Sequence, residues 1–112
     1  MKNNYKLLAE ILRVTREARN YSVNSVARKV NISHTELSRI ENGGRKNYNL
    51  ITLIKLCELL ELDFIKLLKI TNYLPMEEGE FPEYVIENIN NYNKLDEFER
   101  SHPNEVCIIQ IV

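Results

Sequence analysis

The stretch "SVNSVARKVNISHTELSRIENGGRK", residues 22–46, decides the fold, because it has the pattern of two short helices joined by a tight turn. The first helix is predicted to begin after Ser22, since serine side chains cap the exposed N–H groups of helix N-termini. Apolar side chains then recur at helical spacing, at Val23, Val26, Ala27 and Val30. Asn31 is predicted to end this helix, because asparagine tolerates a left-handed backbone better than most residues.

The second helix of the stretch is predicted to be capped at its start and polar on its outer face. Ser33 and Glu36 have the S-x-x-E spacing of a capping box. Leu37 and Ile40 would face inward, and the two glycines after Asn42 would end the helix. A helix that only fills a core needs neither this polar face nor the two basic residues that follow it. The pattern therefore predicts a helix-turn-helix, whose second helix can enter the major groove of DNA.

Helical periodicity continues on both sides of this stretch. A longer helix is predicted before it, ending at about Arg19. Its apolar face would be formed by Tyr5, Leu8, Leu12 and Thr15. A fourth helix is predicted from about Asn49, and a short fifth helix is predicted to follow Asp63 as its N-cap. Five short helices with tight connections predict an all-α domain in residues 1–70, a size that can fold alone.

The rest of the chain has a different character. Residues 71–82 are rich in proline, glycine and glutamate, and we predict a linker there. Residues 83–112 are predicted to form a helix followed by a strand, "VCIIQIV". Because a lone apolar strand tends to pair, this short C-terminal appendage is predicted to join two copies of the chain. The predicted dimer contacts are Val85, Ile89, Tyr92, Val106, Ile108, Ile109 and Ile111.

The net charge of −1 conceals an uneven distribution of charge. Residues 1–68 hold twelve Lys and Arg against seven Asp and Glu, whereas residues 69–112 hold three against nine. A basic part joined to an acidic part predicts an anion-binding module with a tail of another role.

Other classes of protein are disfavoured. No apolar run approaches the ~20 residues of a membrane span, and the N-terminus lacks a signal-peptide pattern, so we expect a cytoplasmic protein without a membrane partner. The sequence has no glycine-rich phosphate loop, nucleophile elbow or paired-carboxylate pattern, and we expect neither an enzyme nor a cofactor. His34 and His102 lack neighbours at ligand spacing, so no metal site is expected. Cys57 and Cys107 are expected to be packing residues.

Docking the predicted helix-turn-helix on DNA assigns a role to each outward side chain. The predicted base-reading residues are His34, Thr35, Ser38 and Arg39. Among them, Arg39 can bond to O6 and N7 of guanine with both ends of its guanidinium. The segment after the helix offers backbone N–H groups and cations that suit phosphates, which hold register without reading sequence. The phosphate contacts predicted there are Asn42, Gly44, Arg45, Lys46 and Tyr48.

Residues from about 5 to 68 resemble the helix-turn-helix domain of the lambda-Cro and phage-repressor type, also called the XRE family. The stretch quoted above, followed by "LITLIKLCELLEL", is similar to the family pattern in both residue and spacing. The matching positions are Ala27, Ile32, Ser33, Ser38, Ile40, Glu41 and Gly43. The resemblance implies a lambda-repressor-like, five-helix domain that binds double-stranded DNA.

The resemblance also implies roles for single residues. Arg16 and Glu41 are expected to form a structural ion pair, because a partly buried charge needs a partner. The family often has a glutamine at the start of its second helix, where it contacts a phosphate. Val23 stands there in this chain, so the phosphate contact is expected from Ser22, Asn24 or the backbone.

Within the family, the small size and the C-terminal appendage are similar to SinR-type regulators, which self-associate through that segment and are controlled by a small partner protein. The expected function is a transcription regulator, a repressor that binds a near-palindromic operator as a homodimer, with such a partner on its C-terminal segment. The alternative is an interaction protein, an antagonist or antitoxin that binds a related regulator or a toxin through the same segment. Two departures from the family pattern keep that alternative open: Glu36, whose carboxylate repels phosphate, and Val23 in place of the usual glutamine.

Overall fold

The structure, a computed structural model, describes residues 3–43 and 48–96. All regular elements within these residues are α-helices. Their bounds are α1 (Tyr5–Ala18), α2 (Val23–Lys29), α3 (His34–Glu41), α4 (Leu50–Leu60), α5 (Phe64–Ile70) and α6 (Glu83–Lys94). The predicted all-α architecture is confirmed for this part of the chain. The predicted strand, with Val106, Ile108, Ile109 and Ile111, lies outside the described residues.

The first five helices begin in the same way. At each start a short polar side chain accepts a hydrogen bond from the backbone N–H three residues later, which satisfies one of the exposed donors of the first turn. These N-cap residues are Asn4, Ser22, Ser33, Asn49 and Asp63. Helix α6 differs, because its N-cap is Pro82, which makes no side-chain capping hydrogen bond.

The same five helices also end alike, with a residue in the left-handed region that turns the chain out of the helix. These residues are Asn20, Asn31, Gly43, Glu61 and Asn72, with φ between 59° and 72°. After α2, for example, the N–H of Ile32 donates to the carbonyl of Ala27 at 2.9 Å. Helix α6 again differs, since its C-cap Leu95 is extended. Local chemistry therefore sets the bounds of α1 to α5 but not those of α6.

Helix α1 is the centre of the core and contacts both α3 and α4. It is buried on more than one face, and the side chains of Leu7 and Val14 are buried beside the stripe that the sequence predicts. Cys57 lies on the inner face of α4, and burial raises the pKa of its thiol to about 12. A thiol in that state is a packing group rather than a nucleophile.

Helix α6 packs against the same core as the other five helices. Val85 and Tyr92 are 5% and 3% exposed and belong to the buried cluster formed by α1 to α5. Asn4 ties the elements together at this end of the molecule. Its N–H donates to the carbonyl of Thr71 at 2.8 Å, and its side-chain amide donates to Oδ1 of Asn93 at 2.9 Å.

None of the helices in the described ranges is long and apolar enough to cross a membrane.

Candidate nucleic-acid interface

Helices α2 and α3 form a rigid corner that fixes the direction of α3. The apolar sides of both helices, including Ala27, Leu37 and Ile40, are buried in the common core. The turn between them is short because Asn31 adopts φ 61° there and lets the chain reverse direction. Two helices joined in this way present the outer face of the second one to solvent.

The outer face of α3 carries all four side chains predicted to read bases. His34 and Thr35 are exposed in its first turn, and Ser38 is half-buried one turn later. The side chain of Arg39 is 53% exposed. The structure therefore brings these four residues together on the exposed side of one helix, opposite the side that Leu37 and Ile40 bury.

Glu36 lies beside Arg39 on the same helix. Its Oε2 is 3.9 Å from Nη1 of Arg39, which is a loose ion pair between two partly exposed groups. Pairs of this kind contribute little to stability. The guanidinium of Arg39 can therefore exchange this carboxylate for a base edge at low cost. The N–H of Glu36 donates to Oγ of Ser33 at 3.0 Å, as expected for the N-cap.

A bidentate ion pair connects the base-reading helix to the centre of the core. Nε and Nη2 of Arg16 on α1 donate to the two carboxylate oxygens of Glu41 on α3, at 2.8 and 3.0 Å. Nη1 of Arg16 donates to the carbonyl of Tyr21 at 2.8 Å. The side chains of Arg16 and Glu41 are only 11% and 5% exposed, so the pair is shielded from solvent. It fixes the end of α3 against α1 with a defined geometry.

The predicted phosphate contacts are only partly within the described residues. Ser22 and Asn24 lie exposed at the start of α2, and Asn42 is exposed at the end of α3. Oγ of Ser22 accepts a hydrogen bond from the N–H of Ser25, which leaves its hydroxyl proton available to a phosphate. Gly44, Arg45 and Lys46 lie in the segment that the structure does not describe.

Tyr48 was predicted to contact a phosphate, but its hydroxyl points into the protein. It donates to the carbonyl of Tyr5 at 3.3 Å. Its ring packs edge-on against that of Tyr73, with 6.4 Å between the ring centroids. Burial raises the pKa of the Tyr48 hydroxyl above its usual range. A phosphate contact would require this internal hydrogen bond to be shared or given up.

One basic residue near this surface was not among the predicted contacts. Arg28 is exposed on α2 and makes no ion pair with any residue in the described ranges. It lies four residues after Asn24, so the two side chains share one face of α2. This four-residue spacing is the sequence feature from which Arg28 could have been predicted as a contact beside Asn24. Lys29 next to it lies over the ring of Tyr21, 5.9 Å from the centroid.

The predicted dimer contacts on α6 require a correction. Val85 and Tyr92 do not form an exposed surface, because the chain's own helices bury them. Ile89 is also partly buried against the core. The apolar stripe of α6 was identified correctly, but its partner is the same chain. A dimer contact through Val85 and Tyr92 would require α6 to detach.

Residues 3–43 and 48–96 contain no group of three or more His, Cys, Asp or Glu side chains placed to hold a metal ion.

Comparison with known proteins adds one finding. The sequence model of a family described as helix-turn-helix matches residues 12–67, which is half of the chain and includes all of α2, α3 and α4. A search of curated proteins gave no match.

Proposed function

The chain belongs to the helix-turn-helix family of DNA-binding transcription regulators, of the lambda-Cro and phage-repressor type, and from this premise we propose that it is a repressor that binds a near-palindromic operator as a dimer. The observation that carries the proposal is the outer face of α3. It presents His34, Thr35, Ser38 and Arg39 to solvent on a helix that the Arg16–Glu41 pair holds in place.

In the proposed complex, α3 lies in the major groove and reads base edges with these four side chains. The start of α2 faces the phosphate backbone through Ser22 and Asn24, and Gly44, Arg45 and Lys46 are proposed as further phosphate contacts. Such contacts release counterions, so we expect the affinity for DNA to fall steeply as salt increases.

A dimer is proposed because one short helix makes few base contacts. Two copies on a two-fold-symmetric site double those contacts, with the half-sites about one helical turn, ~34 Å, apart. The proposed organisation is a DNA-binding domain at residues 1–70, a connecting segment at 71–82 and a self-association segment at 83–112. Because the core buries Val85 and Tyr92, the dimer contact is now assigned to the residues after α6 and to the surface that they reach.

The test is in vitro selection from random duplex DNA with the full-length protein at moderate salt. We expect a two-fold-symmetric motif, whose half-site spacing reports the distance between the two copies of α3. Recovery of an asymmetric single half-site would contradict the dimer and leave the DNA-binding role. If folded protein selected no motif, the proposal that it binds an operator would be contradicted and the alternative, an interaction protein, would be favoured. The carboxylate of Glu36 next to Arg39 would then explain the absence of DNA binding.

A further inference from the structure

Glu36 lies at the edge of the outer face of α3 and is not among the four side chains predicted to read bases. Residues three and four positions later are its neighbours on the helix surface. For Glu36 these are Arg39, which is exposed, and Ile40, which is buried. The side chain of Glu36 is 30% exposed, as expected at the boundary between the two faces. When α3 lies in the major groove, Glu36 therefore enters it beside Arg39.

The carboxylate of Glu36 and the guanidinium of Arg39 are about one base-pair step apart. Oε2 of Glu36 is 3.9 Å from Nη1 of Arg39. Successive base pairs are ~3.4 Å apart along the axis of the duplex. Arg39 has five N–H donors and needs two of them for guanine, so others can still face the carboxylate. The two side chains can thus contact neighbouring base pairs without separating.

A carboxylate discriminates among the four bases, because it accepts hydrogen bonds and donates none when ionised. In the major groove, guanine and thymine present acceptors to it, and adenine presents the acceptor N7 beside the donor N6. Cytosine presents only the donor N4. A carboxylate that leaves water for the groove needs a donor. Cytosine is therefore the base that suits Glu36 best.

We propose that Glu36 reads one base of the operator, and that its carboxylate accepts a hydrogen bond from N4 of a cytosine. This cytosine lies in the base pair next to the guanine that Arg39 contacts. The inference rests on the proposed DNA-binding function and adds a base pair to the sequence that α3 recognises. Repulsion between Glu36 and phosphates then serves specificity, since it weakens binding to every duplex while the bond to N4 forms only on the correct one.

The test is in vitro selection with the full-length protein and with the variants Glu36→Gln and Glu36→Ala. Glutamine keeps the helix start intact, because S-x-x-Q caps a helix as S-x-x-E does. Its amide pairs with N6 and N7 of adenine. We expect the wild-type protein to select cytosine at the pair next to the one that Arg39→Ala relaxes. At the same pair, Glu36→Gln should select adenine and Glu36→Ala should select no base.

Binding isotherms on four duplexes that differ only at this base pair give the size of the effect. The wild-type protein should bind the cytosine duplex about 5- to 150-fold more tightly than the others, the range typical of one mismatched base pair. Circular dichroism checks that each variant is folded. If Glu36→Ala does not fold, the change from cytosine to adenine in Glu36→Gln decides the test alone.

Glu58→Gln is the matched control, because it removes the same charge from an exposed position in the second half of α4. It should keep the wild-type motif. Cytosine retained by Glu36→Gln would overturn the proposal. A gain in affinity for Glu36→Gln that is equal on all four duplexes would also overturn it, since Glu36 would then act only by repelling phosphates.

The same selection separates this inference from the proposed function. A wild-type motif with a guanine at the Arg39 position but no preferred cytosine beside it would contradict the role of Glu36 and leave the DNA-binding function in place. The absence of any motif with folded wild-type protein would contradict the DNA-binding function itself.

Discussion

At the scale of single residues, Arg39 is the side chain on which sequence recognition should depend most. We expect Arg39→Ala to cost roughly 1–3 kcal/mol on the best site and to relax specificity at one base pair, because the bidentate contact to guanine is lost. Lys66→Ala removes the same charge from an exposed position on α5 and should change little. Binding isotherms on selected and scrambled duplexes measure both. Equal losses on the two duplexes would show that Arg39 grips phosphate instead.

Two buried threonines give a matched pair of stability predictions. Oγ1 of Thr15 is buried without a hydrogen-bond partner in the described part of the chain, whereas Oγ1 of Thr71 donates to the carbonyl of Leu67 at 2.7 Å. Thr15→Val should raise the free energy of unfolding by about 1 kcal/mol, and Thr71→Val should lower it by about the same amount. Urea denaturation of both variants gives the comparison. Destabilisation by both would indicate that Thr15 has a partner.

At the scale of helices, the least favourable helix end is that of α4, where Glu61 adopts φ 59° and ψ 40°. A side chain with a Cβ is strained there, and its ion pair with Arg19, at 3.1 Å, is exposed. Glu61→Gly should therefore stabilise the protein by roughly 0.5–1 kcal/mol. Glu61→Ala keeps the Cβ and loses the ion pair, so it should give no gain. Thermal unfolding of the two variants would contradict this argument if alanine stabilised as much as glycine.

A second prediction at this scale concerns α6. Val85 is buried in the core of its own chain, while Tyr84 beside it is 59% exposed. Val85→Ala should lower the free energy of unfolding by about 2 kcal/mol, because two methyl groups leave a packed site. Tyr84→Ala should leave it nearly unchanged. Denaturation at two protein concentrations distinguishes a core residue from an interface residue. If Val85→Ala changed only the dissociation of a dimer, Val85 would be an interface residue.

The helices also show which features the sequence can predict. The N-caps Ser22, Ser33 and Asp63 were predictable, because capping depends on residues within one turn of each other. The burial of Leu7 was not, since it arises where α1 meets two other helices at once. The partner of the α6 stripe was not predictable either. Periodicity identifies an apolar face, but it does not distinguish the chain's own core from a second copy.

The candidate site likewise contains features that the sequence predicts and features that it does not. Residues on the outer face of α3 follow from helical spacing once Leu37 and Ile40 are taken as inward. The internal hydrogen bond of Tyr48 joins residues 43 positions apart, and nothing local indicates it. The Arg16–Glu41 pair spans 25 positions, and only the resemblance to a known family suggested it.

At the scale of the whole molecule, α6 packs into the core that α1 to α5 form. We expect a chain ending at residue 96 to remain folded, because it keeps Val85 and Tyr92 in the core. A chain ending at residue 70 should be markedly less stable, since it exposes the surface that α6 covers. Circular dichroism with urea titration compares the two. Equal stability of the two chains would contradict this expectation and support a domain that ends at residue 70.

The Arg16–Glu41 pair has a consequence for how this chain can change by descent. Exchanging the two residues would keep the charges, but a glutamate at position 16 could not donate to the carbonyl of Tyr21. Either single substitution would leave a buried charge without its partner, which typically costs about 3–5 kcal/mol. That is a large share of the roughly 5–15 kcal/mol by which a small domain is stable. A lineage that alters one position therefore passes through a much less stable protein before it gains the second change. The two positions should be inherited together, in one orientation only.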